Sequence, residues 1–190
     1  GDTAFRLLAG APVLDDTELV AGTIGPQCPE AEAFLRSVIS RSRHPGLVNY
    51  ARYHLGGYLA ELARMHDRLT APISGPELTK VLTKDRLDRL KSINGPKVRS
   101  EAEALLEQVI REEEGQPQNT AEQAAGELYR IRNLNIGQAV PELVGEDIDG
   151  APIRLSNFRG KVVVLSLWVT SGYPYMSIKE GKDLIAAMKE

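Results

Sequence analysis

Few side chains in this sequence can do covalent chemistry, and they are scattered. There is one thiol, Cys28, and there are three histidines, His44, His54 and His66. Cys28 stands just before the first helical pattern, where a helix N-terminus would favour its thiolate. As a lone residue at the end of a glycine- and proline-bearing arm, it also reads as incidental. His54 and His66 are twelve residues apart, about 120° around a helix, so they do not share a face. No H-E-x-x-H or C-x-x-C spacing occurs to bring metal ligands or a dithiol together. Ser40, Ser42 and His44 are near one another but lack the glycine elbow and acid partner of a hydrolase triad. Glu112-Glu113-Glu114 and Lys80/Lys84 read as solvated helix faces. No glycine-rich phosphate loop is present, and neither a metal nor a cofactor is expected. What remains is an aromatic cluster near the C-terminal end, Trp168, Tyr173 and Tyr175, set around Gly172 and Pro174.

The elements that would position this cluster are legible. Val162 to Val169 is a nearly unbroken apolar run with three consecutive valines. That composition suits a strand buried on both faces. Gly160 precedes it and Ser171-Gly172 follows, so the run is punctuated at both ends. Pro174 stands where a helix could begin, since its missing N–H is an orphan at the first helical position. Ile178, Gly181, Ile185 and Met188 continue at helical spacing. The pattern is strand, tight turn, helix N-terminus, the junction at which α/β folds hold ligands. Upstream, Leu143–Ile148 and Ala151–Leu155 flank Asp149-Gly150, a hairpin signal.

These stretches, in this order, resemble thioredoxin-fold proteins of the TlpA/ResA and AhpC/TSA (redoxin) type. Gly160-Lys-Val-Val-Val-Leu-Ser-Leu-Trp-Val-Thr170 is similar to the family's G-K-V-V-V-L-x-F-W-A-T strand. Ile136-Gly-Gln-Ala-Val-Pro-Glu-Leu143 resembles its G-x-x-A-P-x-F/I segment, and Asp147–Gly160 resembles its D-x-D-G-x-x-x-x-L-S-D-Y-R-G. The resemblance covers residues 136–190 only. Aligned on Trp168, the family's C-G-P-C falls on Gly172, Tyr173, Pro174 and Tyr175, so the proline matches and neither cysteine does. The resemblance therefore implies a thioredoxin-like segment without its dithiol. It also implies an extracytoplasmic bacterial setting. A central strand needs ladder partners, so the resemblance further implies that residues beyond this segment, or a second chain, complete the sheet beside 162–169. Association into a homo-oligomer through that strand is the corresponding expectation.

Residues 1–28 show no period and read as a flexible arm. From Pro29 the apolar pattern is helical. Ala31, Phe34, Leu35, Val38 and Ile39 mark a helix over 29–42. Val48, Ala51, Leu55, Tyr58, Leu62, Met65 and Leu69 mark the longest helix, over 47–69, with Gly56-Gly57 inside it. Further helices are predicted over 77–93, with a kink or break at Thr83-Lys84-Asp85, and over 97–113. A capping-box pattern at Thr120–Gln123 opens the last of five, ending near Asn133. Val48, Leu55, Leu62, Leu105 and Val109 are the expected core. The succession of helices bears a likeness to repeat pairs of the tetratricopeptide kind, without a fixed period.

The expected fold class is α+β by domains: an all-α domain over 29–134, then a partial thioredoxin-like α/β segment over 136–190. A net charge of −3 exerts no general pull on nucleic acid or anionic membranes. No apolar run approaches the roughly 20 residues of a membrane span. Leu7–Leu14 is too short and lacks the basic flank of a signal peptide, and a leader upstream of Gly1 stays open. The leading functional reading is a redox-inactive relative of thiol–disulfide oxidoreductases that acts by binding a protein or peptide. On that reading Trp168, Tyr173 and Tyr175 form the binding surface and the helical domain does the recognising. A true oxidoreductase with altered or missing active residues is one alternative, and a helical scaffold or assembly protein is another. A groove across the helices lined by Tyr50, Tyr53 or Tyr58 would favour binding over scaffolding.

Overall fold

The computed structural model describes residues 29–72, 74–113 and 120–165. They belong to two compact units divided between Val140 and Pro141. The arm expected over 1–28, the helix expected after Pro174 and the second half of the strand expected over 162–169 lie outside the described residues.

The first unit is all-α, with six helices among its described residues: α1 (Pro29–Arg41), α2 (Pro45–Thr70), α3 (Ser74–Val81), α4 (Lys84–Ser92), α5 (Gly95–Glu112) and α6 (Thr120–Asn133). The count corrects the expected five. The helix predicted over 77–93 is interrupted at Thr83, whose φ of −65° and ψ of 156° are extended. Thr83-Lys84-Asp85 has no apolar side chain to bury, so nothing holds the chain helical across it. The α3 helix also begins earlier than predicted, inside the expected loop, where the Ser74 hydroxyl donates to the Arg68 carbonyl at 2.7 Å. The start of α5 follows ordinary capping chemistry: the Asn94 side chain accepts from the Lys97 N–H at 3.0 Å, and a proline occupies the first turn.

Helix α2 is the hub. It packs against α1, α3, α4, α5 and α6, most extensively against α5, and α5 in turn packs on α6. In a solenoid each repeat touches only its neighbours; here non-adjacent helices share one core. The predicted seam of α2 is buried at Val48, Ala51, Leu55, Tyr58 and Leu62, with Met65 and Leu69 partly buried at its end. On α1 the buried set is Ala31, Phe34, Leu35 and Val38. On α5 the phase differs from expectation. Leu105 is only partly buried, and Leu106 takes the fully enclosed place with Ala102 and Val109. Those three are spaced by four and three, one narrow stripe facing α2.

The two glycines inside α2 have opposite surroundings. A Cβ at Gly56 would come 2.9 Å from Leu106 Cγ and 3.4 Å from the Ala102 carbonyl oxygen. Gly56 is therefore a place where α5 packs directly on the α2 backbone, and the approach offsets the roughly 1 kcal/mol that glycine costs a helix interior. A Cβ at Gly57 would have nothing within 4 Å.

The second unit, in its described part, is a small antiparallel hairpin, β1 (Val144–Glu146) with β2 (Pro152–Arg154), followed by a 3-10 turn over Leu155–Phe158. The Asp147 carboxylate accepts from the N–H groups of Asp149 and Ala151, each at 2.9 Å, and Gly150 takes a φ of +79°. The hairpin predicted around Asp149-Gly150 is thus closed by a local Asx-type turn. Glu142 accepts from the Ser156 N–H at 3.0 Å and ties the segment before β1 to the 3-10 turn. Hydrogen bonding to Ser156 holds the Glu142 carboxyl below its usual range.

The buried strand expected over 162–169 is not formed over its described half. Among the described residues Val162–Leu165 has no ladder partner, and its apolar side chains are exposed, Val162 at 88%. Apolar composition alone does not make a strand, because its N–H and C=O groups need pairing. Among the described residues β1 and β2 pair only with each other.

The α2–α5 crossing yields a coupled prediction. Leu106→Ala is expected to destabilise the chain by about 2–5 kcal/mol, and Gly56→Ala by about 1–3 kcal/mol through overpacking. In the double variant the added methyl meets a vacated space, so the two losses should sum to more than the combined loss. Urea unfolding of all four proteins measures this, and simple additivity would show that the two residues do not share the contact.

Candidate functional site

The residues expected to form the site, Trp168, Gly172, Tyr173, Pro174 and Tyr175, lie outside the described residues. Tyr50, Tyr53 and Tyr58, beside which a groove would favour binding over scaffolding, fall inside them, on α2. Tyr53, His54, Gly57, Tyr58, Glu61 and Arg64 of α2 line a cleft of about 250 Å³ together with Glu127 and Arg130 of α6.

Local helix geometry explains why these residues converge. His54, Gly57, Glu61 and Arg64 are spaced by three, four and three, one stripe along α2. It runs beside the core seam, and Tyr58 belongs to both. Glu127 and Arg130 are three apart, so both reach the same side of α6. The packing of α6 on α5 and α2 sets the two stripes facing each other.

The cleft has an aromatic part and a charged part. The His54 ring meets two tyrosines edge-on, 4.3 Å from the Tyr50 centroid and 5.0 Å from that of Tyr53. Burial pushes the His54 pKa down, because desolvation disfavours the imidazolium. The Tyr58 hydroxyl accepts from Arg89, whose guanidinium carbon also sits 5.7 Å from the Tyr58 ring centroid. Arg89 in turn pairs with Glu32 at 3.2 Å, so Tyr58 is held by α4 and α1 as well as by its own helix. Gly57 leaves bare backbone on the cleft lining.

On the charged side, Arg64 pairs with Glu61, and Arg130 with Glu127 at 2.8 Å. Burial first, then the nearby charges of Arg130 and Arg68, lower the Arg64 pKa; Glu127 opposes them. Two guanidiniums therefore face one another across the cleft with one carboxylate each. Among the described residues, neither serine nor cysteine lines the cleft beside His54.

A second hollow, of about 580 Å³, lies between the C-terminal end of α2, α5 and residues 131–138. Its charges pair with one another as those of the first cleft do, Arg99 with Asp67 and Arg132 with Glu103. The sequence reading weighed His54 only as a metal ligand and passed over Glu61, Arg64, Glu127 and Arg130. The three-and-four spacing around Gly57 was the available signal. No helix of the described residues is long and apolar enough to cross a membrane. No family model matches the chain, and no solved structure matches it.

The His54 environment has a pH consequence. Its folded pKa is depressed, so the unfolded chain takes up the proton first as pH falls. His54 leaves stability undiminished above its unfolded pKa of about 6.5. Stability is lost as pH drops below that value toward the folded pKa, and the loss then levels off. Between about pH 7.5 and pH 5, wild type should lose more unfolding free energy than His54→Gln, measured by urea denaturation at each pH. Parallel losses in the two proteins would show that His54 is not desolvated.

Proposed function

We propose that the chain is a redox-inactive relative of thiol–disulfide oxidoreductases of the thioredoxin-like type, and that it acts by binding a protein or peptide. The observation that carries this reading is the ordered set of local features leading to the degenerate motif. An Asx-closed Asp147–Gly150 turn is followed by a 3-10 turn at Leu155–Phe158, and Gly160 has a φ of +79°. These lie at the D-x-D-G, L-S-D-Y and R-G positions of the resemblance. Gly172 and Tyr175 then stand where a working site has its two cysteines. Disulfide exchange needs one sulfur to attack and another to resolve; Cys28 is the single thiol of the sequence. The helical unit, with its cleft beside Tyr53 and Tyr58, supplies the recognition surface. An extracytoplasmic setting belongs to the same reading.

Insulin reduction with dithiothreitol tests the inactive part. No turnover above background is expected from the unmodified chain, whereas Gly172→Cys/Tyr175→Cys should gain activity. Turnover by the unmodified chain would overturn the reading.

Association through residues 162–169 is part of the proposal. Val162, Val164 and Leu165 expose apolar surface, and a strand from a second copy would cover it while pairing the backbone. Light scattering should give a dimer or larger species that Val164→Lys reduces to monomer; a wild-type monomer at all concentrations would refute it.

A further inference from the structure

Gly57 stands half-buried on the lining of the α2–α6 cleft, inside a long helix, and no neighbouring atom requires it. Its neighbour Gly56 is explained by the approach of Leu106, but a Cβ at Gly57 would project into open space. A helical glycine without a packing reason, at the lining of a cleft, fits close approach of a ligand to the backbone. The space is of limited size. At about 250 Å³ it falls below the roughly 300–1,000 Å³ of small-molecule pockets, and suits one side chain of a larger partner.

The lining indicates which side chain. Tyr53 and Tyr58 line the cleft together with the bare Gly57 backbone, and the Tyr58 hydroxyl is held by Arg89. Such a seat accommodates a flat ring. Arg64 and Arg130 also line the cleft, and each guanidinium has N–H groups beyond those used by Glu61 and Glu127. A second carboxylate arriving there would offset the repulsion between the two arginines.

We propose that this cleft binds an aromatic side chain of a partner peptide in which an aspartate or glutamate adjoins the aromatic residue, the ring lying over Gly57 and the carboxylate meeting Arg64 and Arg130. This deepens the binding role proposed above and rests on it for the kind of partner. Every residue involved lies between Tyr53 and Arg130, so it is tested separately from the degenerate motif.

The probe is an N-acetylated, C-amidated peptide of sequence Ala-Ala-Asp-Phe-Asp-Ala-Ala with a fluorescein label, titrated against the full chain by anisotropy. Saturable binding is expected, weakened about tenfold or more when the peptide phenylalanine becomes alanine, when its aspartates become asparagines, or in Arg130→Gln. Gly57→Ala provides the decisive readout. The added methyl favours the helix and should raise Tm by about 2–4 °C, yet it projects into the cleft where the ring would lie and should weaken the peptide about tenfold. Gly126→Ala is the control: Gly126 is an exposed α6 glycine with nothing within 4 Å of an added Cβ, so Tm should rise while affinity is unchanged. Three results would overturn the proposal: no saturable binding up to about 1 mM peptide, equal affinity in Gly57→Ala, or retained affinity for the peptide lacking phenylalanine. Insulin turnover by the unmodified chain would sink the redox-inactive reading instead and leave these titrations to stand on their own.

Discussion

Where α2 crosses α5, the Leu106 side chain lies against the bare backbone of Gly56, close enough that a Cβ at Gly56 would come within 2.9 Å of it. The rest of the helical unit depends on that approach. It brings Ala102, Leu106 and Val109 onto Ala51, Leu55 and Leu59, and all six side chains are essentially removed from water. Burial on that scale is the main favourable contribution to the fold. Because α5 also carries α6, the same approach sets how near α6 comes to α2, and hence the width of the cleft between them.

Helix α2 therefore serves two purposes on adjoining faces. One face is an apolar seam that meets five other helices. The next holds His54, Gly57, Glu61 and Arg64 around a hollow. Tyr58 joins the two, its ring buried in the core and its hydroxyl taken by Arg89. Interhelical ion pairs ring the unit, such as Arg36 with Glu101 at 2.6 Å and Arg132 with Glu103 at 3.0 Å. They are solvent-exposed and fix register more than they add stability.

The hairpin unit follows a different logic. Its two three-residue strands are exposed throughout, and local hydrogen bonds to the Asp147 and Glu142 carboxylates organise it. A two-stranded hairpin is marginal by itself in water. The turn geometry is encoded within a few residues, but stability must come from surfaces packed on it. Exposed Ile148, Val162 and Val164 are apolar side chains without such cover.

Much of the helical unit was legible beforehand because its signals are periodic and local. The α1 stripe, the α2 seam and the limits imposed by Pro45, Asn94-Gly95-Pro96 and the Thr120 region need only side-chain spacing and capping chemistry. The Asp147–Gly150 hairpin was equally local. The break at Thr83 was visible as a polar interruption, but whether the chain kinked or stopped depended on what α4 could bury. The preference for Leu106 over Leu105 was not legible, since both fit the helical pattern and only the direction of α2 distinguishes them. Nor could sequence separate Gly56 from its neighbour Gly57. Chain order determined which residues form helices and which turn closes the hairpin, because those choices are made within four residues. Only tertiary structure decided that Gly56 is a contact, that Gly57 is a vacancy, and that Arg64 and Arg130, 66 positions apart, face one cleft, because each depends on where another helix lies.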